Sequence, residues 1–81
     1  MSDIVIYTSL VCHRCRAVKW HLDKLGVEYK EVRADLDAEA RDLLLVKGYR
    51  EVPVTRIGEE WIDGYRPDDL GAAVAALKGA A

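Results

Sequence analysis

Thr8-Ser9-Leu10-Val11-Cys12-His13-Arg14-Cys15 contains both cysteines of the chain, two residues apart. The apolar run Ile4-Val5-Ile6-Tyr7 precedes it, and a helical recurrence of apolar residues follows. A Cys-x-x-Cys at a strand-to-helix junction reads as a redox pair. A thiolate at a helix N-terminus faces unpaired backbone N–H groups and the positive end of the helix dipole, which lower its pKa. The second cysteine lies one turn on, within reach of a mixed disulfide formed by the first. His13 and Arg14 add positive charge between them. Two blander readings are weaker. Zinc takes four ligands, and beyond the thiols the chain offers only His13, His21 and scattered carboxylates. A structural disulfide closing so short a loop constrains the unfolded chain little.

The 81 residues suffice for one small domain, 1–81, with a layered core. Apolar residues are 51 % and charged residues 32 %, the balance of a soluble globular protein. A net charge of −2 gives no electrostatic reason to expect nucleic acid or an anionic membrane as partner. Met1-Ser2-Asp3 lacks the basic start of a signal peptide, and no apolar run is long enough to span a bilayer. With so few cysteines, the expectation is a reducing cytoplasm, where such a pair is kept for chemistry.

Residues 3–8 read as a buried parallel strand, and 13–25 as a helix with Val18, Leu22 and Leu25 on one stripe, ended by Gly26. Trp20 lies off that stripe and is expected at the outer edge of the core. A second strand covers 29–33. Asp35 or Asp37 caps a helix over 38–47 that Gly48 stops, and the continuous Leu43-Leu44-Leu45-Val46 suggests that its end is deeply packed. Residues 53–57 and 60–63 form a hairpin around Gly58-Glu59. Pro67 opens a last helix, with Leu70, Ala73, Val74 and Leu77 at i, i+3, i+4 and i+7. The order β-α-β-α-β-β-α describes an α/β domain: a four-stranded mixed sheet with three flanking helices, its first pair parallel and its hairpin antiparallel. Taken alone, Val52-Pro53 reads as an ordinary trans bond, because a proline opening a strand forfeits no ladder hydrogen bond.

Three stretches carry a further signal: Tyr7-Thr8 ahead of Cys12-His13-Arg14-Cys15, then Gly48-Tyr49-Arg50-Glu51-Val52-Pro53-Val54, and Gly64-Tyr65-Arg66-Pro67-Asp68. Together they resemble the thioredoxin superfamily in its small glutaredoxin-like branch, the NrdH-type redoxins in particular, over nearly the whole chain. The last stretch is similar to the Gly-Phe-Arg-Pro-Asp segment of these redoxins, where glutathione-using glutaredoxins carry a Gly-Gly-containing loop. The resemblance implies a thioredoxin/glutaredoxin-like fold and a protein dithiol–disulfide oxidoreductase acting as an electron carrier. Cys12 would be the attacking thiolate and Cys15 the resolving thiol, leaving a redox-active Cys12–Cys15 disulfide with no bound cofactor or metal. It also implies a cis Pro53 that presents the backbone of Val52 to a substrate strand, flanked by Thr8, His13, Arg14, Gly64, Tyr65 and Arg66. The implied partners are thioredoxin reductase as electron donor and ribonucleotide reductase or other protein disulfides as recipients, with the chain a monomer.

The chain departs from these redoxins in three places: Ser9 replaces a Lys or Arg, His13-Arg14 replaces an apolar residue and Gln, and Trp61 stands one position before the usual Trp, at Ile62. In a strand, that one-residue shift turns the ring to the other face. Rival readings are a glutaredoxin drawing on glutathione or another low-molecular-weight thiol, a metal or iron–sulfur carrier acting through Cys12, and a non-catalytic interaction module.

Overall fold

A computed structural model describes residues 3–79. Its central element is β1, Ile4–Thr8, in which all five residues are buried. β1 runs parallel to β2 (Lys30–Arg33) with Val5 opposite Lys30 and Thr8 opposite Arg33. On its other edge it runs antiparallel to β3 (Val54–Ile57), Tyr7 opposite Val54. β3 turns back into β4 (Glu60–Asp63), giving the sheet order β2-β1-β3-β4.

Alternation along β1 divides the core. Ile4 and Ile6 meet Val18 and Leu22 of α1 (His13–Lys24) and Leu70 and Val74 of α3 (Pro67–Gly79). Val5 and Tyr7 face the other way, onto Ala40 and Leu44 of α2 (Ala38–Val46). Two helices therefore cover one face of the sheet and one covers the other, with the order β-α-β-α-β-β-α expected from the sequence. Element ends fall within a residue or so of expectation. β3 begins after Pro53, which has no N–H to give the ladder.

The expected deep packing at the end of α2 is corrected. Leu44 is 5 % exposed, but Leu43, Leu45 and Val46 are 40, 54 and 85 % exposed. A single helix against one sheet face buries one stripe, here Ala40 and Leu44 at i and i+4, and three of four consecutive apolar residues must leave it. Asp37 caps α2 through Ala40 N–H at 3.1 Å, and Gly48, at φ +91, ends its C-terminal turn. Trp20 does not edge the core. It is exposed on α1 with the Lys24 Nζ 4.4 Å from its ring centroid. Trp61 and Ile62 take opposite faces of β4. Trp61 stacks on Tyr7 and Tyr49, with centroids 6.0 and 6.2 Å apart, while Ile62 joins the α1/α3 side.

Thr55, opposite Ile6 and Ile62, is fully buried, and its hydroxyl has no hydrogen-bond partner. An unsatisfied buried hydroxyl costs about 1–3 kcal/mol. The isosteric change Thr55→Val should therefore raise unfolding stability by about 1 kcal/mol, read as a higher urea midpoint at unchanged m-value. A lower midpoint would mean that the hydroxyl is bonded in solution.

Candidate active site

Cys12 is the N-cap of α1. Its backbone is extended (φ −154°, ψ 99°), and its Sγ accepts from the Cys15 N–H at 3.1 Å. Sulfur thus takes the place that a Ser or Asp oxygen usually fills. It sits where the first-turn N–H groups are unpaired and the helix dipole is positive, and α1 has no acidic residue in that turn to oppose it. Cys12 and Cys15 form a disulfide with Cα atoms 5.2 Å apart. Their accessibility differs: Cys15 is 2 % exposed, whereas Cys12 is half-buried at the surface.

The second wall is the segment between α2 and β3. The Val52 carbonyl oxygen lies 3.9 Å from the Cys12 Sγ, and the Val52–Pro53 peptide is cis. The Pro53 carbonyl accepts from the Gly64 N–H at 2.8 Å, which ties this segment to the loop after β4. Gly64 has φ +76, a conformation that L side chains rarely adopt. Arg14 reaches across to Glu51 at 3.4 Å, between two exposed side chains.

Two carboxylates anchor the segment that leads to Cys12, at Thr8 and at Leu10. Asp35 accepts from the Leu10 N–H at 3.3 Å and is gripped by the Arg33 Nε and Nη2 at 2.8 and 2.6 Å. Its hydrogen bonds from Arg33, helped by the guanidinium charge, lower its pKa from 3.8 to about 2. The Thr8 hydroxyl donates to the Glu31 carboxylate at 2.7 Å, and Lys19 joins it at 3.2 Å. The Thr8 hydrogen bond, above all, lowers the Glu31 pKa; partial burial opposes it and Lys19 assists.

Beside Cys12 opens a groove of about 560 Å³ between the start of α1, α2 and the segment before Pro53. Of the residues expected from the sequence, His13, Arg14 and Val52 line it together with Cys12. Pro53 and Gly64 meet Arg14 and Val52 at an adjoining hollow. Three expected flanking residues lie elsewhere. Thr8 is 1 % exposed, because the last residue of β1 points under α1 toward Glu31; it supports the site from beneath. Tyr65 sets its ring edge-on to His21 on the side of α1, with centroids 6.4 Å apart. Arg66 braces its own turn through the Asp63 carbonyl at 3.0 Å. The sequence reading missed Arg41, Leu45, Arg50 and Asp35, all of which line the groove. Arg50 was visible beside Val52-Pro53, and Arg41 and Leu45 stand at i and i+4, yet only the docking of α2 brings them to Cys12.

The glutaredoxin family model matches residues 4–62, from the first residue of β1 into β4. The chain is also 38 % identical over 66 residues to the glutaredoxin-like protein NrdH of Salmonella typhimurium, covering 82 % of each chain. The chain belongs to the glutaredoxin family, as an NrdH-type redoxin. A glutaredoxin of Pseudomonas aeruginosa is 38 % identical over 79 residues, covering 96 % of this chain and 92 % of its own. Among solved structures, the glutaredoxin-like NrdH-redoxin of Escherichia coli, described for its thioredoxin-like activity profile, superposes with a TM-score of 0.82 at 32 % identity, over 85 % of this chain and 91 % of that one. The family makes this chain a thiol–disulfide oxidoreductase.

Asp35 gives the fold an acid-sensitive point. The unfolded chain protonates it near 3.8 and the folded chain only near 2, so the folded state binds fewer protons in that interval. The stabilisation is complete above about pH 4 and is lost as pH falls through about 2. Asp35→Asn should therefore flatten the fall of the urea midpoint between about pH 4 and 2. An unchanged slope would show that the Arg33–Asp35 contact does not persist in solution.

Proposed function

We propose that this redoxin reduces protein disulfides, with Cys12 as the nucleophile and Cys15 as the resolving thiol. The observation that carries the assignment is the unequal placement of the two sulfurs: Cys12 caps the helix at the surface and Cys15 is buried behind it. A substrate disulfide reaches only Cys12, whose negative charge the helix N-terminus stabilises. The Cys12 thiolate attacks one substrate sulfur, forming a mixed disulfide and releasing the other substrate sulfur as a thiolate. Cys15 then gives up its proton and attacks the Cys12 Sγ. The second substrate thiolate leaves and the Cys12–Cys15 disulfide remains. Two electrons and the Cys15 proton pass from the pair to the substrate, whose second thiolate takes its proton from solvent, and no bound cofactor or metal is required. In this reading the segment that carries the substrate sulfurs lies along the Val52 backbone; its carbonyl oxygen, 3.9 Å from the Cys12 Sγ, supports that assignment.

The couple must be recharged, and the donor we propose is thioredoxin reductase with NADPH, in a reducing cytoplasm. Two features support this over glutathione: the thioredoxin-like activity profile of the Escherichia coli relative, and the Gly64-Tyr65-Arg66-Pro67 segment. There a single glycine is followed by an outward Tyr65 and a self-braced Arg66. Ribonucleotide reductase is the proposed recipient by the same resemblance.

The assay is NADPH consumption during turnover of a protein disulfide, with thioredoxin reductase or with glutathione plus glutathione reductase as donor. Turnover is expected with the first and not with the second; the reverse result would make the chain glutathione-dependent. Cys12→Ser should abolish turnover. Cys15→Ser should stop at the mixed disulfide, detected by mass as a covalent adduct with the substrate. An adduct formed instead by the Cys12→Ser variant would reverse the two roles.

A further inference from the structure

The groove beside Cys12 combines an apolar bed with unbalanced positive charge. Leu45 on α2 and Val11, which is 83 % exposed, offer apolar surface on its two banks. Arg14, Arg41 and Arg50 line the same groove. Two carboxylates also line it, and each is already engaged: Asp35 by Arg33 and the Leu10 N–H, Glu51 by Arg14. Among the described residues, the Arg41 and Arg50 guanidiniums have no ion pair and no hydrogen bond. The surplus does not reflect the chain as a whole, which carries 14 acidic against 12 basic residues.

We infer that the groove selects disulfides carried on extended segments of a partner protein in which acidic residues and apolar residues flank the cysteines. This deepens the proposed function and rests on Cys12 being the attacking thiolate. A segment whose sulfur lies at Cys12, alongside Val52, runs within reach of the rim, and carboxylates on it meet Arg41 and Arg50 with no internal acid to displace. Apolar side chains of the same segment cover Val11 and Leu45. A small anionic thiol would satisfy the guanidiniums but leave that apolar surface in water, so a polypeptide fits the whole groove better. A basic flank would meet two unpartnered cations and be repelled. The attraction acts on encounter, so its signature is in the association rate and in its dependence on salt.

The test uses the full chain, reduced with dithiothreitol and desalted, and two synthetic peptides. Each peptide carries one intramolecular disulfide in the same apolar frame, one with Glu flanks and one with Lys flanks. The readout is the second-order rate of protein oxidation, followed by quenching and alkylation. At low ionic strength the Glu peptide should react on the order of tenfold faster. The ratio should collapse toward one near 1 M salt, where the Debye length is about 3 Å. In the Arg41→Glu/Arg50→Glu double variant the preference should invert. Equal wild-type rates for the two peptides at low salt, or a preference that the double variant keeps, would overturn the charge selection while leaving the dithiol reading intact. With glutathione disulfide as a third oxidant, oxidation by none of the three would overturn the dithiol reading itself. Oxidation by glutathione disulfide with neither peptide reacting would assign the groove to a small thiol. The wild-type comparison stands without the variant, should the double substitution impair folding.

Discussion

The dithiol is held in place by a strand that ends four residues before it. β1 is buried on both faces, so α1 and α3 must pack on one side and α2 on the other. Its C-terminal end sets where the following loop can start. The Thr8 carbonyl accepts from the Ala34 N–H at 2.9 Å and its hydroxyl donates to Glu31, fixing that end to β2 and to the residue after it. Four residues after Thr8 comes Cys12, the cap of α1, which begins at His13. A sulfur placed by a loop alone would lack this registration. Here a central strand, an ion-paired Asp35 and a helix terminus determine it jointly.

The electrostatics of the site balance opposed demands. The helix N-terminus favours the thiolate, and whatever favours the thiolate also favours the reduced form, making the couple a stronger oxidant. Arg14 between the cysteines acts in the same direction, but Glu51 shares its charge across the cleft. Both side chains are largely in water, so their pairing is weak. It leaves Arg14 free to exchange partners when a segment docks.

Much of this was legible in the sequence, for identifiable reasons. The cysteine spacing, the apolar run before it and the Pro67 start of α3 are local signals whose physics needs no distant partner. Gly26 and Gly48 likewise mark helix ends by backbone freedom alone. What could not be read depended on which way an element turns. Leu43-Leu44-Leu45-Val46 carries no stripe in its composition, and only the approach of α2 to the sheet selects Leu44 for burial. Thr8 sits beside the cysteine loop in sequence, yet the pleat sends its side chain beneath the helix. Arg41 lies far from Cys12 along the chain, and Asp35 looks like a cap for α2 until its carboxylate is seen on Leu10.

The ends of the sheet carry one more consequence. Its two edges are short and charged: β2 presents Lys30, Glu31 and Arg33, and β4 is bounded by Glu60 and Asp63. Such edges resist pairing with the edge of another molecule. The most exposed apolar residues of α2 are helical, so their backbone groups are already bonded and offer no template for strand growth. A carrier needs a sticky surface near its sulfur to meet its partners. This one carries its exposed large apolar side chains on helices and loops and keeps its strand edges charged, an arrangement that works against edge-to-edge growth of the sheet.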